Sequence, residues 1–106
     1  MNIIQGEPFV HCVFVKNVDT GEVYLYDDLI LSLQDSRGHE IKEYTAINGD
    51  FQYHEGIASI TVTGEQTSNM FGRYYIEYAI MVNGSRVTMR PKYELNIQKS
   101  GIKKQA

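Results

Sequence analysis

The chain has 106 residues, 42% hydrophobic and 22% charged, a length that suits one domain with a modest core of its own. A net charge of −3 is too small for a nucleic-acid footprint, and the single cysteine, Cys12, excludes an intrachain disulfide framework. The opening stretch, MNIIQGE, has neither a basic leader nor a long apolar run, so no signal peptide, no membrane span and synthesis in a reducing cytoplasm are expected.

Pro8–Val15 (PFVHCVFV) is nearly all apolar and rich in β-branched and aromatic residues, which predicts a strand buried on both faces. Residues 17–21 (NVDTG) form a turn, and Glu22–Tyr26 a short strand. Leu29, Leu31 and Leu33 alternate with Ile30, Ser32 and Gln34, the period of a strand. Asp35-Ser36-Arg37-Gly38 turns the chain, His39–Ile47 is a further strand, and Asn48-Gly49-Asp50 turns it again. After Gly56, Ala58, Ile60 and Val62 share one face of another strand, opposite Ile57, Ser59 and Thr61.

Residues 64–72 (GEQTSNMFG) leave strand chemistry for a short helical turn ending in Gly72. That segment resembles the corner that leads into the sixth strand of immunoglobulin-like sandwiches, with Met70 or Phe71 plugging the core and Tyr74 as the corner tyrosine. From Arg73 to Val82 apolar residues again alternate, and Asn83-Gly84 then forms a two-residue turn of the type that needs two positive φ angles. Val87–Ile97 returns as the partner strand, at an edge or bulged at Pro91 because proline lacks an N–H. About seven short strands with no long amphipathic helix predict an all-β, immunoglobulin-like, two-sheet antiparallel sandwich over residues 1–97. Residues 98–106 form a basic, flexible tail.

The pattern offers no catalytic residue, no cofactor site and no metal site. His11, His39 and His54 lie far apart, and adjacent strand positions send His11 and Cys12 to opposite faces. Asn17-x-Asp19-x-Gly21 opens like a calcium loop but lacks the later glycine and glutamate, so its carboxylate reads as a turn former. A surface function is left. Arg86, Arg90 and Lys92 interleave with Tyr75 and Tyr93 as a candidate interface, with Gly72, Tyr74, Asn83 and Gly84 as structural corner and turn residues. Tyr-rich strands also suit a carbohydrate- or cell-surface-binding sandwich of the adhesin kind.

Charge is unevenly spread along the chain. Residues 1–72 carry eleven acidic and three basic side chains, residues 73–106 seven basic and two acidic. Such an arrangement offers head-to-tail complementarity between copies, unless folding mixes the two halves and cancels the field.

In order, IIQGEPF, YLYDDLILSLQDSRG, GIASITVTGEQTSNMFGRYYIEYAIMVNG and YELNI make the chain resemble the immunoglobulin-like N-terminal domain of phage baseplate upper proteins and related tail-fibre modules. The resemblance covers residues 3–97; the family's long helical or receptor-carrying continuation has no counterpart here. It implies a non-catalytic phage or prophage module that joins tail or baseplate subunits, self-associates or becomes part of a virion. From charge and hydropathy, neither nucleic acid nor membrane is expected as a partner.

Overall fold

A computed structural model describes residues 1–16, 19–22, 25–89 and 92–99. The strands are β1 (Asn2–Ile4), β2 (Phe9–Val13), β3 (Asp28–Gln34), β4 (Glu40–Thr45), β5 (Gln52–His54) and β6 (Ile57–Val62). The short helix α1 (Gly64–Ser68) follows, then β7 (Gly72–Val82), β8 (Ser85–Thr88) and β9 (Tyr93–Gln98). One sheet has six strands, in the order β1-β9-β7-β3-β4 with β8 also on β7; the other has three, β2-β6-β5. Letters for the immunoglobulin layers follow directly: β3, β7 and β9 are C, F and G, and β2, β6 and β5 are B, E and D. The fold is an all-β, immunoglobulin-like sandwich, with nine strands among the described residues rather than about seven, plus a single-residue bridge at Lys16.

The core forms where the inner faces of the two sheets meet. Leu29, Leu31 and Leu33 from β3, Ile76, Tyr78 and Ile80 from β7, and Leu95 and Ile97 from β9 pack with Phe9, Val13, Ala58, Ile60 and Val62 of the smaller sheet. Each set follows the period of two, so one face of every strand is withdrawn from water. β3 is central, paired to both β4 and β7, and its outer face is also covered by neighbouring side chains.

Sequence and structure part company at β2. The run Pro8–Val15 was expected to be buried on both faces, yet β2 alternates: Phe9, His11 and Val13 point inward, while Val10 is 57% exposed and Cys12 faces solvent. The doubly buried strand is β3 instead. Two strands, β1 and β5, were not anticipated, because three residues are too few to show a period. β1 joins β9 in parallel, with Asn2 opposite Asn96 and Ile4 opposite Gln98. The chain then crosses to the other sheet, where, among the described residues, β2 has β6 on one side and no strand on the other.

Arg73–Val82 and the Asn83-Gly84 turn form as expected. Val82 pairs with Ser85, and Asn83 and Gly84 take φ values of 51° and 80°. The returning strand is not continuous. Ala79 pairs with Thr88 but Ile76 with Tyr93, so two more residues separate the partners on the returning strand than on β7. Arg90 and Pro91 lie outside the described residues, as do Val23 and Tyr24 of the expected Glu22–Tyr26 strand and residues 100–106 of the tail. Glu22, Leu25 and Tyr26 are not in a strand, and β9 extends to Gln98, one residue past the expected boundary.

The corner before β7 has the expected form. Thr63 caps α1 by accepting the Gln66 N–H at 3.2 Å. Met70, 2% exposed, is the plug; Phe71 is 60% exposed and points out. The Phe71 N–H donates to the Tyr74 hydroxyl at 3.0 Å, the backbone tie of a tyrosine corner. Gly72 has a φ of 97°, a region that L side chains avoid.

Candidate interaction surfaces

The two sheets carry different chemistry on their outsides. The six-stranded sheet is charged there, with Asp28, Glu40, Glu43, Arg73, Glu77, Arg86 and Glu94, whereas Lys42, opposite Leu33, shares the face of Tyr44. No Asp, Glu, Lys or Arg occurs in β2, β5 or β6. Proteins ordinarily blunt an open sheet edge with charge, proline or a bulge. β2 has none of these within its length, and among the described residues it pairs only with β6.

Beside this open edge lies a cleft of about 480 Å³ between the sheets. Its walls are mostly apolar, with Val13, Phe14 and Val15 from the β2 side and Ile80, Val87 and Met89 from the other layer, and Lys16 and Thr88 add a charged and a polar side chain. Phe14 is 43% and Val87 46% exposed, so apolar surface remains in water at the mouth. The arrangement lets an extended segment add backbone hydrogen bonds to β2 while its alternate side chains enter the cleft.

Below the cleft sits an aromatic cluster. His11 Nδ1 and the Tyr78 hydroxyl are hydrogen bonded at 2.7 Å, and the Tyr93 ring meets His11 edge-on, with centroids 4.8 Å apart. Burial holds the His11 imidazole below its ordinary value and pushes the Tyr78 phenol up. Both effects favour a neutral pair suited to a core. The exposed Cys12 is the next residue along an alternating strand, so the imidazole and thiol are directed to opposite faces.

The five candidate interface residues do not form one patch. Lys92 lies over the Tyr75 ring, with Nζ 5.2 Å from its centroid, on the outer face of the six-stranded sheet. Arg86, opposite Met81, shares that outer face but stands near the far end of β7. Tyr93 turns the other way, to His11 and Tyr78. Arg90 lies outside the described residues. Alternation explains the split: Tyr93 is opposite core-facing Ile76, whereas Tyr75 is opposite Glu94.

A polar network also lies on the outer face of the six-stranded sheet. Gln34 Nε2 donates to Ser32 Oγ at 3.1 Å and to Glu77 Oε1 at 3.2 Å, while buried Gln34 Oε1 has no partner. Long-range register brings these three together, and no local motif announces it.

A wider groove of about 760 Å³ opens at one end of the molecule. Asn2, Asp35, Arg73 and Asn96 line it beside the exposed Phe71 ring. Arg73 Nε also contacts Glu94 Oε1 at 2.7 Å. Among the described residues, no group of three or more His, Cys, Asp or Glu side chains could hold a metal ion, and no helix is long and apolar enough to cross a membrane. No protein-family model, curated protein or solved structure matches the chain.

Proposed function

We propose that this protein is a non-catalytic structural module that mediates protein–protein assembly. The observation that carries the reading is the open, uncharged β2 edge beside a largely apolar cleft. An edge of that kind gains by receiving another chain: added backbone hydrogen bonds and burial of Phe14 and Val87 act together. The order of motifs that resembles phage baseplate upper proteins supports a tail or baseplate setting, with incorporation into a virion.

Co-expression with the structural proteins encoded beside its gene, followed by size-exclusion chromatography, tests this. Wild type is expected to co-elute with a tail or baseplate subunit, and Val10→Lys, which places charge on the β2 edge, to lose that partner while keeping its circular dichroism spectrum. Co-elution with none of them, or binding by Val10→Lys equal to wild type, would overturn the reading.

The end groove favours a second reading, carbohydrate binding. An exposed aromatic ring beside two asparagines, an aspartate and an arginine offers apolar and hydrogen-bonding contacts to a sugar. A glycan array on which wild type binds and Phe71→Ala does not would support it; a blank array would remove it.

A further inference from the structure

Strand order sorts the charges of the six-stranded sheet across its width. The β8–β9 side carries Arg86 and Lys92, with Lys16 on the wall of the adjacent cleft, and the one acidic residue of β8 and β9, Glu94, is engaged by Arg73 at 2.7 Å. The opposite side is built from β4 and the turn after it, with Glu40, Glu43 and Asp50. Lys42, the one basic residue of β4, has Nζ 4.9 Å from the Tyr44 ring centroid, beside a core residue. Among the described residues, Lys92, Arg86, Glu40 and Glu43 make no ion pair.

These opposite charges also match in height along the strands. Gln34 is opposite both Tyr75 and Glu40, and Tyr75 is opposite Glu94, whose carboxylate is engaged by Arg73 at 2.7 Å, so the unpaired charges beside this row are Glu40 at one end and Lys92, over the Tyr75 ring, at the other. At the other end of the sheet, Ile30 is opposite both Ala79 and Thr45, and Ala79 is opposite Thr88. Asp50 accepts the Thr45 N–H on one side of that row, and Arg86 stands two residues before Thr88 on the other. Glu43 belongs to the outer face between them, opposite Ser32. In the second layer, the outer strands β2 and β5 are both uncharged. Two copies placed side by side in the same orientation therefore meet charge against opposite charge in one layer and neutral edge against neutral edge in the other.

We propose that copies of this chain associate head-to-tail, the β2/β8–β9 side of one receiving the β4/β5 side of the next. The inference rests on the assembly reading above and names its first partner: a second copy. An isologous contact through the β2/β8–β9 side would set Arg86 against Arg86 or Lys92 across the axis, which is repulsive; the heterologous contact is attractive. Such a contact repeats, giving a ring where the rotation closes and a filament where it does not.

Sedimentation equilibrium of the full chain tests this. At about 10 mM ionic strength, where the Debye length is about 30 Å, the mass is expected to rise with concentration above that of one copy. At about 1 M salt, where it is about 3 Å, the mass should fall back towards 12.1 kDa. R86E/K92E and E40K/E43K should each be monomeric, with unchanged circular dichroism. Mixed in equal amounts they should associate again, because each then offers the edge that the other lost.

A wild type that stays monomeric at every concentration in low salt would overturn the proposal. So would an E40K/E43K variant that associates as wild type does, which is the outcome expected of an isologous contact. Either result would leave co-elution with tail proteins untouched, so the failure of this inference and of the assembly reading are separable.

Discussion

Tyr74 holds the corner before β7 with one hydrogen bond from the Phe71 N–H, a bond partly open to water. Tyr74→Phe should therefore cost about 0.5–1.5 kcal/mol, read as a lower urea midpoint with an unchanged m-value. Thr67 does more. Its hydroxyl donates to the Glu7 carbonyl at 2.8 Å and accepts the Gly6 N–H at 3.1 Å, and the side chain is fully buried. Thr67→Val keeps the shape but removes both bonds, and because Gly6 and Glu7 are themselves exposed a loss of about 0.5–1.5 kcal/mol for each is expected in the same measurement. At Gly64, whose Cβ would strike the Gly6 carbonyl oxygen, even alanine should disturb this junction. His11 adds a pH dependence. Its imidazole titrates below the ordinary value of 6.5, so the unfolded chain takes up the proton first. His11 is neutral in both states well above pH 6.5 and contributes no slope there; stability falls as pH drops below it. Urea midpoints at pH 7.5 and 5.0 should differ more for wild type than for His11→Gln.

Elements with a full period of alternation were legible in the sequence, and those defined by long-range pairing were not. β3, β6 and β7 show their inward residues as every second apolar side chain. The Asn83-Gly84 turn and the Tyr74 corner are local chemistry and can be read without knowing the partners. β1 and β5 borrow their identity from β9 and β6, which supply the hydrogen bonds. β2 misled because a run of apolar residues says nothing about which sheet edge it will occupy; only topology leaves Val10 and Cys12 in water. The same limit hid the site. Tyr93 and Tyr75 stand in neighbouring strands, but opposite faces separate them, while His11 reaches Tyr78 across the sandwich. The hairpin gives a further test: Gly84→Ala, at a φ of 80°, should destabilise by about 1 kcal/mol or more, seen as a lower melting temperature.

At the scale of the molecule, the two layers divide the work. The larger sheet contributes most of the core and carries the charges; the smaller one is neutral and keeps an open edge. Part of the uneven charge of the sequence stays apart in the fold, because the acidic β4 forms one margin of the larger sheet while β8, with Arg86, lies on the far side of β7.

The parallel pairing of β1 with β9 also has a mechanical meaning. The three matched positions from Asn2↔Asn96 to Ile4↔Gln98 are extended by Met1 O accepting from Asn96 N and Gln5 N donating to Gln98 O, at 2.8 and 2.7 Å. Tension pulling Met1 and Lys99 apart would load these rungs in shear, all at once, instead of peeling them open one after another. A tether through those two points should hold more force before rupture than one that pulls the β5–β6 hairpin apart from its free end.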